Sequence, residues 1–147
     1  MLSPLYLASA MQLCALNDNE LTRIKNLLEL PIDKLNREML ISIIDNHKIA
    51  STYLNLATNH NICDWGLSID TPFPCIDEFK ILTEYIILKI RFHTINLDYE
   101  KALSEIQNIT VLIKHISGCS DMNAVFLSVN IADKVLLEIG DSHLYLS

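Results

Sequence analysis

The side chains best suited to chemistry are few and scattered. His60, Cys63 and Cys75 supply three donors of the kind that bind zinc, but their spacing fits no common site, where cysteines come in close pairs. Cys14 and Cys119 lie farther off, and no Cys-x-x-Cys pair occurs in the chain. Cys63 and Cys75 flank one irregular stretch, which leaves a disulfide between them open. In a chain with no secretory leader all four read as buried thiols. His93 falls near Asp98 across a turn, and a histidine–carboxylate pair can tune a base. No nucleophile, glycine-rich loop or second carboxylate at a defined spacing joins it. A helix-end histidine, favoured by the negative C-terminal dipole, is the simpler reading. Asp77, Glu78, Glu84 and Glu100 read as solvated faces and first-turn acids. The sequence thus predicts no enzyme, no metal set and no cofactor.

The elements that hold these residues are helical by their spacing. Ile76, Phe79, Leu82, Ile86, Ile90 and His93 step by three or four along one face, with Ile81, Tyr85, Leu88, Phe92 and Ile95 beside it. Only a narrow polar stripe, Asp77, Lys80, Glu84 and Arg91, interrupts this arm. A helix apolar over most of its circumference is covered on more than one side, which makes it the expected central helix. A second arm follows, with Tyr99, Ala102, Leu103, Ile106, Ile109, Ile113 and Ile116 on its apolar face and Lys101, Glu105, Asn108 and His115 opposite. Asp98 is placed to cap this arm and Gly118 to close it in a left-handed conformation. A three-residue link between such arms predicts an antiparallel hairpin spanning 76–117.

The run Asn96-Leu97-Asp98-Tyr99-Glu100-Lys101-Ala102-Leu103 resembles the turn and second-helix start of a tetratricopeptide repeat. Tyr99 and Ala102 match that pattern. The resemblance implies that the small Ala102 sits where the helices approach closely and that Tyr99 wedges between them. A turn glycine is missing, and Asn96 is the residue that tolerates its left-handed backbone. The proline near the end of the second helix is missing too. One unit of about 34 residues covers under a quarter of the chain. A longer likeness starts at Cys63-Asp64-Trp65-Gly66-Leu67 and continues through a proline-containing loop, a hairpin and a third helix. It is similar to a group of uncharacterised bacterial helical proteins, which implies a fold and no activity.

The rest of the chain follows the same logic. With 147 residues, half of them hydrophobic, it suits one domain, 1–147. Three glycines and four prolines leave little room for a β-rich fold. The stretch 1–17 reads as an uncharged helix anchored by Leu5, Tyr6, Leu13 and Leu16, without the basic start of a signal peptide. It is expected to be buried in the fold or a dimer, and a longer native chain is compatible with it. Asn17-Asp18-Asn19 marks a turn, and Leu21, Ile24, Leu27 and Leu28 a helix that Pro31 ends. Asp33 is placed to cap one long helix to Thr58, with Leu35, Met39, Ile43, Asn46, Ala50, Tyr53 or Leu54, and Ala57 on its stripe. Asn46 there is a candidate buried polar residue, for register or a ligand. His60 to Pro74 is irregular, with Gly66 at a bend and Pro72 and Pro74 stiffening the approach to the central helix. Trp65, the one tryptophan, either anchors this segment through its ring and N–H or lines a pocket or interface. A last helix starts at Ser120-Asp121, shows Ala124, Leu127, Ile131, Val135 and Ile139 with Val125, Val129, Ala132 and Leu136 beside them, and ends at Gly140. Residues 141–147 are expected to fray.

Eighteen acidic against eleven basic residues give a net charge of −7, which disfavours nucleic acid and anionic membranes as partners. Mean hydropathy is positive, yet no uncharged run approaches the roughly 20 residues of a membrane span. The expectation is an all-α antiparallel array of about six helices in the cytoplasm. Its function is protein–protein interaction or scaffolding, through a protein partner or a homodimer formed by 2–16 or 122–139. The alternative is a small-molecule or metal binder with a site near the 60–76 loop. Trp65, Asn46, Tyr99 and Ala102 are the candidate interaction or structural positions.

Overall fold

The structure is a computed structural model and describes residues 3–14, 18–60, 63, 65, 73, 76–119 and 121–146. Among these there is no strand. Seven α-helices follow one another: α1 (Ser3–Cys14), α2 (Asp18–Glu29), α3 (Arg37–Asn46), α4 (Lys48–Thr58), α5 (Ile76–Ile95), α6 (Tyr99–Ser117) and α7 (Met122–Leu146). A 3-10 turn at Ile32–Lys34 links α2 to α3. The predicted Leu16, Gly66, Pro72, Pro74, Cys75 and Ser120 lie outside the described residues.

The architecture is built around α5. From Tyr85 to Arg91 every residue of this helix is buried, so neighbours surround it. One cluster packs Tyr6, Ala10 and Leu13 of α1 and Ala50, Leu54 and Ala57 of α4 against Phe79, Leu82, Ile86 and Ile90, and continues into α6 and α7. A second cluster sets Ile24, Leu27, Leu40 and Ile43 against Leu88 and Ile95 at the other end of the helix. Lys89 pairs with Glu105 a few residues on either side of the turn between α5 and α6, so the two helices run antiparallel. Leu103 and Ile106 near the start of α6 share a groove with Ile139 and Ser142 near the end of α7, and that pair is antiparallel too.

The count of seven in place of six comes from one break. The predicted long helix starts only at Arg37, where the Asn36 side chain, rather than Asp33, accepts from the backbone of Glu38 and Met39 at 3.0 and 3.3 Å. It then breaks at His47, whose φ of −121° and ψ of 28° leave the helical region. The Tyr85 hydroxyl reaches the carbonyls of Ile44 and His47 there, at 3.3 and 3.1 Å. A buried phenol from α5 thereby adds a third element to the break, where the Ile44 and His47 carbonyls also accept from the N–H groups of His47 and Ser51.

Three other boundaries differ from expectation. At the end of α5 the left-handed residue is Leu97, with φ of 58°, and not Asn96. Asp98 N–H donates to the His93 carbonyl at 2.9 Å and Leu97 N–H to Thr94 at 3.0 Å. This 6→1 and 5→2 pair is a Schellman motif, which fixes the turn geometry on Leu97 whatever its side chain prefers. Gly118 has φ of −72° and closes α6 without a left-handed step. Gly140 does not stop α7, which runs on to Leu146.

Candidate functional site

Three polar or aromatic centres and one apolar surface compete as sites. The first is aromatic. Tyr6 from α1, Trp65 and Phe73 from the segment before α5, and Phe79 of α5 stack within 4.9–6.4 Å of one another. Trp65 is half-buried and donates its indole N–H to the His115 carbonyl at 2.8 Å. The Tyr6 hydroxyl bonds His115 Nδ1. Burial, helped by Cys63, holds that hydroxyl protonated far above the usual tyrosine range. The Phe73 N–H donates to the Asp121 carboxylate at 2.9 Å and ties the segment to the start of α7. Trp65 and Phe73, two of the few described residues of the 60–76 stretch, belong to this cluster; residues 61, 62, 64, 66–72, 74 and 75 lie outside the described residues.

The second centre is a buried ion pair. Lys89 Nζ lies 2.6 Å from Glu105 Oε1, donates to Ser51 Oγ at 2.9 Å, and stands 5.8 Å from the Tyr85 ring centre. Burial, joined by Glu105 and Asp45 against the Ser51 hydrogen bond, pushes the Tyr85 hydroxyl up to about 12. Glu105 Oε2 has no hydrogen-bond partner. Removing one member of such a pair costs about 3–5 kcal/mol, because the other charge is stranded. The third centre is Arg91. Its Nε meets Glu138 Oε2 at 2.9 Å, and its Nη1 donates to the carbonyls of Leu27 and Leu30 at 2.9 and 2.7 Å. Pro31 halts α2, and Arg91 from α5 takes up the carbonyls left at its end. Burial outweighs the Arg91 charge and raises the Glu138 carboxyl above its ordinary value. Two clefts of 470 and 420 Å³ open beside Arg91, whose Nε and Nη1 are taken up by Glu138, Leu27 and Leu30. All three centres hold helices together.

The apolar surface is different. α7 buries Ala124, Leu127, Ile131 and Val135 on its inner side. Its outer side carries Met122, Val125, Phe126, Val129, Leu136, Leu137 and Ile139, each a large apolar side chain between 39 and 71% exposed. A helix apolar on two opposite faces has one face without a partner in its own chain. The surface continues onto α6 across a groove of 310 Å³, lined by Ile90, Tyr99, Ala102, Leu103, Ile106 and Ile139. Ser142 Oγ borders this groove and finds no hydrogen-bond partner.

The four singled-out positions are dispersed. Trp65 belongs to the aromatic centre. Asn46 is exposed, to one side of the α3 face that buries Leu40 and Ile43. Ala102 is buried and Tyr99 is exposed at the groove edge, so the tyrosine does not wedge between the helices. The buried stripe of α6 is Ala102, Glu105, Ile109, Leu112 and Ile116. It is rotated from the expected face by the demand of Lys89 for a counter-charge, which takes Glu105 and His115 inward and leaves Leu103 out. Cys63 and Cys119 are half-buried, and Cys75 lies outside the described residues. Among the described residues no cluster of three His, Cys, Asp or Glu side chains is arranged to hold a metal, and no helix is long and apolar enough to cross a membrane. Compared with family models, curated proteins and solved structures, the chain matches none.

Proposed function

We propose that the chain is a helical protein–protein interaction module that docks through the outer face of α6 and α7. The observation that supports this is the row of seven large apolar side chains left open along α7. Contiguous apolar patches above about 300–600 Å² exceed what a typical monomer exposes, and mark interaction sites. The buried charge networks support the same reading, since Lys89–Glu105 and Arg91–Glu138 each tie one helix to another. The tetratricopeptide likeness rests on Ala102, whose burial fits a close helix approach, and not on the exposed Tyr99.

A second reading, an apolar small-ligand binder, has its support in the groove at Leu103 and Ile139. Its 310 Å³ reaches the lower end of ligand-pocket volumes. The test is a photo-crosslinking amino acid placed at Val129 and, separately, at the exposed polar position Glu29 of α2, in cells that make the protein. A discrete protein adduct at Val129 and none at Glu29 is the expected result. No adduct at Val129, with an apolar molecule co-purifying and lost on Leu103→Glu, would move the function to the ligand reading.

A further inference from the structure

Resting on that reading of the α6–α7 face, we propose that its partner is a second copy of this chain, joined through α7 in an antiparallel pair. Met122, Val125, Val129, Ala132, Leu136 and Ile139 follow one another in steps of three, four, three, four and three. This spacing keeps one stripe on a helix, as in a helix–helix seam. It also reads the same from either end. A two-fold axis midway between Val129 and Ala132 therefore sets Met122 against Ile139, Val125 against Leu136 and Val129 against Ala132, each contact made twice. That is the self-complementarity an isologous interface requires. The smaller side chains fall at the centre, where two helices come closest, and the larger ones toward the ends.

Charge supports the same partner. The protein carries a net charge of −7, so most of its surface repels its own copy. None of the six stripe positions is ionisable, so the seam itself sets no like charges in contact, with the exposed Asp133 beside it at the rim. The area points the same way once α6 joins: Met122, Val125, Val129, Leu136 and Ile139 of the stripe expose about 500 Å² per copy, and Tyr99 and Leu103 of α6 add to it, against roughly 800 Å² per partner in a stable interface.

The experiment is sedimentation of the purified chain at tens of micromolar, with two charge variants. The wild type is expected to sediment as a dimer. Val125→Glu and Leu136→Lys each place a charge at a position exposed in the single chain, so the helical spectrum is expected to stay unchanged while association weakens by about tenfold or more. An equal mixture of the two variants is expected to regain the dimer, because the antiparallel register sets the new charges against each other. A monomeric wild type, a dimer indifferent to both substitutions, or a mixture that remains monomeric would each overturn the proposal. A monomeric wild type whose Val129 probe still captures another protein removes the second copy and leaves the docking face. Loss of both the dimer and the adduct removes the interaction reading itself.

Discussion

α1 and α7 are both rich in apolar residues, and on composition either could serve as an interface. α1 carries no charge from Ser3 to Cys14, whereas α7 has Asp133, Lys134, Glu138 and Asp141. Yet α1 is the helix that disappears into the fold. Tyr6, Ser9, Ala10 and Leu13 are fully buried, Ser9 Oγ donates to the Ala50 carbonyl at 2.6 Å, and α4 and α5 lie against it. Small buried residues on both helices, Ser9 and Ala10 of α1 and Ala50 and Ala57 of α4, let the two backbones approach. α7 is larger-sided and has neighbours on its inner face only. The difference teaches that apolar content sets the demand for cover, while place in the layers decides whether the chain itself supplies it. The first helix in sequence buries one face under α4 and α5 and leaves Met11 as its one large exposed apolar side chain among the described residues; the last one is an edge with seven.

The widest separation between the two helices is expected from truncation. Tyr6→Ala removes a fully buried ring that stacks on Trp65 and bonds His115, and is expected to cost about 3–5 kcal/mol by chemical denaturation. Leu136→Ala, measured at concentrations low enough to keep single chains, is expected to change stability by under about 0.5 kcal/mol. Equal costs for the two would erase the distinction between a covered and an open helix.

Much of this fold is legible in the sequence. Spacing alone identifies α5 as the central helix, because nothing but a surrounded helix is apolar at Phe79, Tyr85, Ile86, Leu88 and Ile95 together. The Asp98 cap is legible too, accepting from Lys101 N–H at 3.3 Å. What escapes is long-range. Lys89 and Arg91 read as part of a solvated stripe, or go unremarked, until Glu105 and Glu138 arrive from helices 16 and 47 residues away to pair with them. Periodicity scores a carboxylate as outward, and a buried pair defeats it. The break at His47 is invisible for the same reason, since the Tyr85 hydroxyl that tolerates it belongs to another helix. The open face of α7 was within reach: Val125, Val129, Ala132 and Leu136 form a second row beside the first, and two apolar rows on one helix ask for two covers.

Acid is expected to act on the closed side of the molecule. Burial lowers the pKa of His47, with Glu20 opposing, and that of His93, with Glu105 opposing more strongly than Lys89 adds. Both rings are thus neutral in the fold at pH values where the unfolded chain is already protonated. In that window the unfolded state binds more protons, so stability rises with pH and falls on acidification below about 6.5. The denaturation midpoint is expected to drop between pH 7 and pH 5.5, with His47→Gln and His93→Gln together flattening the fall. His47 borders α5, His93 belongs to it and neither is on the outer face of α7, so a midpoint that moves only through α7 substitutions would contradict this assignment.

A small effect tests whether the outer side of α7 is open along its whole length. Gly140 sits inside the helix, and a Cβ built on it meets no atom within 4 Å apart from its own helix backbone and chain neighbours. Glycine costs a helix interior about 0.5–1 kcal/mol relative to alanine, because the unfolded chain gives up more freedom there. Gly140→Ala is therefore expected to raise stability by about that amount, read as a small upward shift of the thermal midpoint. The position lies beyond the six-residue stripe that pairs in the proposed dimer, so the gain is expected equally in the single chain and in the associated one. A loss of stability would mean that something covers this end of α7, and that the edge helix ends sooner than Leu146. An unchanged midpoint would say that the last turns are too weakly formed to register a better helix former, which places the end of the rigid surface near Ile139 and leaves the stripe itself intact.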